Sequence, residues 1–291
     1  MALGAEAAAL DRMKLFKMNG LGNAFAIFDA RGRGGLALSE EQARAIADPR
    51  EGVGCDQVIA IEESIRGDAF MRIWNADGGE VAACGNAARC VGWLLTNETG
   101  RDHVVIETLA GRLRADRRGP DTVSVDMGSP LLKWEEIPLA ERMDTRRLDV
   151  KVGPIDAPLL HTPGAVNMGN PHCVFFVENA EGIAVERLGP LLENHPLFPE
   201  RANIGFAEIR APDVIRLRVW ERGTGLTKAC GTGACAAVVA ASRRGLCDRF
   251  AVVKLDGGDL VIEWRETDDH VLMTGPVELE YEADMDGRRA G

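Results

Sequence analysis

The chain has 291 residues, of which 46% are apolar and 27% charged, and it carries a formal net charge of −11. This is the composition of a globular chain of one large or two ordinary domains, and no apolar run reaches the ~18 residues of a membrane span. The acidic balance, with no Lys/Arg block to offset it locally, excludes a nucleic-acid binder, which needs a basic face to displace counterions. The expected partner is a small molecule.

The first twelve residues, MALGAEAAALDR, lack the basic start and long apolar stretch of a signal peptide and read as an N-terminal extension. A cytoplasmic location follows as an expectation, and with it seven cysteines kept as thiols rather than disulfides. From there, β-rich stretches bounded by Gly and Asn predict short strands at AFAIFD (24–29), QVIAI (57–61) and FMRIW (70–74). GNAARCVGWLLTN (85–97) predicts a helix, followed by strands at HVVIET (103–108) and TVSVDM (122–127). The second half offers strands at HCVFFVE (172–178) and IRLRVW (215–220), then a helix at GTGACAAVVAASRRG (231–245). Further strands are predicted at FAVVKL (250–255), LVIEW (260–264) and HVLMTG (270–275). Both helices are apolar on nearly every face at their start, which predicts burial inside a domain. GLGNAF (20–25) leads into a strand and no GxGxxG joins strand to helix, so a dinucleotide-binding unit is a poor fit.

The two halves repeat. RIWNADGGEVAACGNAAR (72–89) lies over RVWERGTGLTKACGTGAC (218–235), with identities at Arg72/Arg218, Trp74/Trp220, Gly79/Gly225, Ala83/Ala229, Cys84/Cys230, Gly85/Gly231 and Ala88/Ala234. LGNAFAIF (21–28) matches MGNPHCVF (168–175), VVIETLAGRL matches VVKLDGGDL, and MGSP matches MTGP, all in order. A tandem duplication of a roughly 120-residue unit, too long for a solenoid repeat, predicts two pseudo-symmetric α+β domains. The expected boundaries are 1–12 for the extension, 13–130 for the first domain with 276–291 packing back onto it, and 131–275 for the second.

Cys84 and Cys230 stand at the two predicted helix starts, where unpaired backbone N–H groups and the positive end of the dipole converge. Such a position favours a thiolate, and the same donors hold a carboxylate. A cysteine at a crowded corner can also be mere packing, but two in one register, each followed by Gly, weigh against that. Cys84-x5-Cys90 and Cys230-x4-Cys235 lack the tight spacing of a structural zinc site, so no metal is expected. Cys55, Cys90, Cys173, Cys235 and Cys247 read as core thiols. Two thiols in symmetric positions suit the inversion of a stereocentre, which needs a base on one face of a carbon and an acid on the other. With helix starts to hold an α-carboxylate, the pattern points to an amino-acid racemase or epimerase acting without a cofactor.

NADGGEVAACGNAAR, ERGTGLTKACGTGACA, KMNGLGNAFAIFD, GVGCDQ, ETLAG, GNPHCV and RANIGF resemble, in order, segments of the diaminopimelate epimerases. Gly79 stands where that family usually has Ser, and Ala24 replaces a common Asp. The resemblance implies two pseudo-symmetric domains, each a β-barrel-like mixed sheet around a central buried helix. It implies conversion of LL- to meso-diaminopimelate in lysine and peptidoglycan synthesis, an amino-acid substrate and no cofactor, and it is compatible with a homodimer. It makes Cys84 and Cys230 the acid/base pair, with Asn23, Gln57, Asn75, Asn170, Asn203, Glu221 and Arg222 contacting substrate. Gly85, Asn86, Gly231 and Thr232 supply helix-start donors, and His172 and Glu221 adjust the thiol pKa values. The repeat gives this physical sense, because Glu221 and Arg222 replace Asn75 and Ala76 of the first half. A symmetric scaffold must become asymmetric where the far end of the substrate is read, and Arg offers bidentate recognition of a distal carboxylate. Proline racemases and hydroxyproline epimerases share the two-cysteine logic but tend to Cys-Gly-His at the first site, where this chain has Cys84-Gly85-Asn86. Phenazine-type isomerases lack the cysteine pair, and a pure binding module would exchange no α-hydrogen.

Overall fold

The computed structural model describes residue 10, residues 13–154 and residues 156–284. Almost all of the extension foreseen over 1–12, and the end of the segment expected to pack back, lie outside them. The chain forms two compact units, one running to Val125 and resuming at Gly275, the other Asp126–Thr274.

The first unit opens with β1 (Lys14–Gly20) and β2 (Asn23–Asp29), then α1 (Glu40–Ala47), β3 (Gln57–Glu62), β4 (Ala69–Asn75) and β5 (Glu80–Val81). It continues with α2 (Gly85–Thr99), β6 (His103–Thr108), β7 (Gly111–Gly119) and β8 (Thr122–Asp126). The second unit holds β9 (Lys151–Val152), β10 (Leu160–His161), β11 (Gly164–Asn167), β12 (Pro171–Phe176), α3 (Val185–Glu193), β13 (Asn203–Ala211) and β14 (Val214–Glu221). Then come β15 (Gly225–Thr227), α4 (Gly231–Ser242), β16 (Phe250–Leu255), β17 (Gly258–Trp264) and β18 (Val271–Pro276); β19 (Glu278–Asp284) returns to the first unit. No helix among the described residues is long and apolar enough to cross a membrane.

The duplication is visible strand by strand. β1/β2 pair antiparallel, β2/β3 parallel, β3/β4 antiparallel, β4/β6 parallel and β6/β7 antiparallel. β11 to β17 repeat that series in the same order. β19 lies antiparallel on the other side of β1. In the first hairpin Gly20 faces Asn23, which leaves a two-residue loop with Leu21 at φ 63° and Gly22 at φ 83°, a type I′ turn. The Asn19 side chain accepts from Gly22 N at 2.8 Å, and in the second unit Asn167 accepts from Gly169 N at 2.8 Å. Both bonds brace the loops that lead into Asn23, the first residue of β2, and Asn170, which directly precedes β12.

Each unit wraps its strands around one helix. α2 packs on β1, β2, β6 and β7, and every residue from Gly85 to Gly92 is buried. Its approach to β7 is so close that a Cβ on Gly92 would stand 2.5 Å from the Ala115 Cβ, which explains a glycine inside a helix. α2 stops at Gly100, left-handed at φ 68°, whose N–H donates to Thr96 O. α4 packs on β11–β14, β16 and β17 and is buried from Gly233 to Ala241. A second core in that unit centres on Phe175, Phe206, Ile204 and Leu148. Each such side chain withdrawn from water contributes about 1.5–3 kcal/mol.

Candidate active site

In the first unit, Cys84 is the N-cap of α2, with extended backbone at φ −147° and ψ 116°. Its carbonyl accepts the first helical bond from Ala88 N at 2.9 Å. Its side chain makes no capping hydrogen bond, and the first turn carries no acidic residue. A Ser, Thr or Asp would normally use its oxygen to satisfy the N–H groups of such a helix start. With cysteine there, those donors stay available to an anion. Cys84 is partly exposed.

Beside it, buried Asn86 donates from Nδ2 to Asn23 Oδ1 at 2.7 Å and accepts from Arg89 Nη1 at 2.9 Å. Arg89 is wholly buried, so the second helical position is fixed from both sides. Gln57 and Asn75 face each other across β3 and β4, with Gln57 Nε2 donating to Asn75 Oδ1 at 2.9 Å. Gln57 Oε1 is buried without a hydrogen-bond partner. A buried carboxamide oxygen left in that state costs about 1–3 kcal/mol and is an acceptor suited to an incoming N–H. Ala24, where the family pattern has Asp, contributes its backbone to Asp56, whose Oδ2 accepts from Ala24 N at 2.7 Å.

In the second unit, Cys230 caps α4 in the same way, at φ −111° and ψ 106°, again with no side-chain cap and no acidic residue in the first turn. Its surroundings differ. Cys230 is only 4% exposed, its Sγ lies 3.6 Å from Thr232 Oγ1, and it shares a hydrogen bond with the Glu221 carboxyl. Glu221 also accepts a short hydrogen bond from Thr227 Oγ1. A Cβ on Gly233 would stand 3.2 Å from Cys230 Sγ, so the thiol is tucked against the helix start.

The helix start alone predicts a lowered thiol pKa, but at Cys230 the opposite holds. Burial and then the Glu221 charge push it well above 9.0, outweighing the Thr232 hydroxyl and the Gly233 N–H. Glu221 itself is raised by burial, opposed by its bonds from Thr227 and Cys230. Cys230 therefore rests as a protonated thiol, suited to donate. Iodoacetamide at neutral pH should label partly exposed Cys84 well before Cys230, which is 4% exposed and rests as the unreactive thiol. Labelling at Cys230 should climb only as the pH rises, and peptide mapping reads both.

The remaining second-unit residues form one connected group. His172 Nε2 is 2.9 Å from Asn170 Oδ1. Burial, then the Arg222 charge, pushes His172 down to about 3, so its ring is neutral at working pH and serves as a fixed dipole. His172 faces Asn203 in the β12/β13 register, at the position that Phe25 occupies in the first unit. Buried Asn203 accepts from Arg222 N at 2.9 Å and donates to Pro171 O at 3.1 Å. Arg222 Nη1 donates to Glu200 O at 2.8 Å.

Thus the structure joins Asn23 to Asn86, Gln57 to Asn75, Glu221 and Thr232 to Cys230, and Asn170, His172, Asn203 and Arg222 to one another. His172 is hydrogen-bonded to Asn170 and feels the Arg222 charge, whereas Glu221 and Thr232 are the groups at the Cys230 thiol. Thr227, which anchors Glu221, lies within ERGTGLTKACGTGACA but was given no role, although its repeat partner is Val81 and that loss of symmetry was a signal.

A hydroxyproline epimerase from Agrobacterium vitis, solved with bound trans-4-hydroxy-L-proline, has the same fold. Its TM-score is 0.64 at 16% identity, over 94% of this chain and 93% of that one. Both units carry a cysteine-capped buried helix, and the sequence matches that follow make the chain an isomerase of the epimerase class. The family model for diaminopimelate epimerase matches residues 15–133 and 164–280. The diaminopimelate epimerase of Phenylobacterium zucineum is 57% identical over 269 residues, covering 92% of this chain and 96% of that protein. That of Caulobacter vibrioides is 55% identical over 273 residues, covering 91% and 94%. The chain belongs to the diaminopimelate epimerase family.

Proposed function

We propose that this enzyme interconverts LL- and meso-2,6-diaminopimelate by two-base proton transfer between Cys84 and Cys230. The observation that supports this most is the recurrence of an uncapping cysteine as the N-cap of the buried helix in both units. One cysteine, as thiolate, takes the α-proton and becomes a thiol. The other, as thiol, delivers its proton to the opposite face of the carbanion and becomes a thiolate. The pair ends with its protonation reversed, which is the state required for the return reaction. The helix-start N–H groups at Gly85, Asn86, Gly231 and Thr232 hold the α-carboxylate and stabilise charge as the proton leaves. Glu221 keeps Cys230 protonated until the substrate excludes water and alters the balance.

The distal end of the substrate does not react and is read by Arg222, with Asn203 fixing the backbone that carries it. Asn23, Gln57, Asn75 and Asn170 provide the remaining polar contacts, and His172, neutral beside Asn170, orients that side chain. The reaction needs no cofactor and serves lysine and peptidoglycan synthesis in the cytoplasm, and a homodimer is part of the same reading. Incubating LL-diaminopimelate with the purified protein in deuterated water tests it. The expected result is a mixture of LL and meso forms deuterated at the α-carbon. A binding module would return the LL form with its α-hydrogen intact.

A further inference from the structure

The Arg222 side chain has to be aimed, and the groups around it identify what aims it. Glu193, the last residue of α3, is only 6% exposed. Its carboxylate accepts from Trp220 Nε1 at 2.7 Å, from Gly223 N at 3.0 Å and from Arg201 Nη1 at 3.1 Å. Trp220 precedes Arg222 by two residues and Gly223 follows it, so two of these bonds clamp the segment on both sides of Arg222. The third donor, Arg201, adjoins Glu200, whose carbonyl holds the Arg222 guanidinium. Arg201 is held in the left-handed region at φ 59°, a conformation a non-glycine residue keeps only when its surroundings impose it. α3 in turn packs closely against this segment, since a Cβ on Gly189 would stand 2.3 Å from the Trp220 ring.

We infer that Glu193 is a positioning residue for distal-carboxylate recognition, acting through Arg222. The inference rests on the reading of Arg222 given above. Glu193 spends its accepting capacity on the two chain segments that form the Arg222 socket, and a buried carboxylate satisfied by three donors is a rigid anchor. Glu193→Gln keeps the shape but turns an N–H toward one of those donors, which tilts the socket without emptying it. Because the distal carboxylate does not react, the loss should fall on binding, so KM should rise with little change in kcat.

The test is a double-mutant cycle with Arg222→Met, reading KM and kcat for diaminopimelate together with Tm. Glu193→Gln should raise KM by about tenfold to a hundredfold, the range of a charge-assisted hydrogen bond. Trp220→Phe, which removes one N–H and leaves a smaller aromatic ring, should raise KM less. In the Arg222→Met background both effects should vanish, because the group they aim is gone. A KM that rises by the same factor in both backgrounds, or a lowered Tm with KM unchanged, would overturn the inference and leave Arg222 as it stands. An unchanged KM in Arg222→Met alone would overturn the underlying reading and the inference with it. Should Glu193→Gln fail to fold, Trp220→Phe decides by the same criteria.

Discussion

Cys84→Ala and Cys230→Ala should each abolish epimerisation while leaving the fold in place. Each removes one of two obligatory proton-transfer groups, and such a group contributes about 10²–10⁴-fold in rate. The partner thiol cannot compensate, because a monoprotic base that removes a proton from one face has no means of protonating the other. The structural cost is small. Cys84 is partly exposed, and the Cys230 side chain does not cap its helix, whose first bond runs from Ala234 N to the Cys230 carbonyl. Losing one buried sulfur costs about as much as losing one methylene, ~1 kcal/mol, so circular dichroism and Tm should stay close to wild type. Near-wild-type turnover in either variant would contradict the two-base mechanism.

Arg222→Met should abolish the preference for a substrate with a second carboxylate. Removing one partner of a desolvated charge pair costs about 2–5 kcal/mol, roughly 30-fold to several thousand-fold in kcat/KM for diaminopimelate. Lysine, which lacks the distal carboxylate, should be a poor substrate for the wild type and nearly unaffected by the substitution. The two substrates should therefore converge in the variant. Specificity constants for both, measured on both proteins, check this. Efficient racemisation of lysine or proline by the wild type would contradict the assignment of substrate.

How much of this was legible in the sequence depended on whether symmetry marked it. The cysteines, the helix starts and the Asn-Gly hairpins recur in register, so Cys84, Cys230, Asn23 and Asn170 stood out before any coordinates. Arg222 and Glu221 stood out for the opposite reason, as breaks in the repeat. Buried strands rich in Val and Ile read easily, whereas β7, GRLRADRRG, did not, because only Ala115 along it is buried. The strand expected within 276–291 is not marked by its own burial pattern, since β19, ELEYEAD, has five of its seven residues exposed, and it pairs with β1. α3 carries Pro190 inside it, which argues against a helix on local grounds. Its value lies in Glu193, whose partners Arg201, Trp220 and Gly223 lie outside its helix, and no periodicity encodes that. The direction of the Cys230 shift was hidden for a related reason. A helix start predicts a lowered thiol pKa, but burial and the Glu221 carboxylate are tertiary facts, and they prevail.

The central claim is that two different thiols handle the departing and arriving protons. The most direct measurement is the isotopic content of substrate and product during the first few per cent of conversion in deuterated water. Exchangeable thiols carry deuterium before turnover begins, so the arriving group is a deuteron from one cysteine while the departing proton goes to the other. The account predicts that newly formed meso-diaminopimelate carries one deuterium at the inverted carbon from the outset, while the remaining LL form is still protiated. Product that retains the α-hydrogen of the substrate would mean that one group carries the same proton across both faces, and would contradict the account.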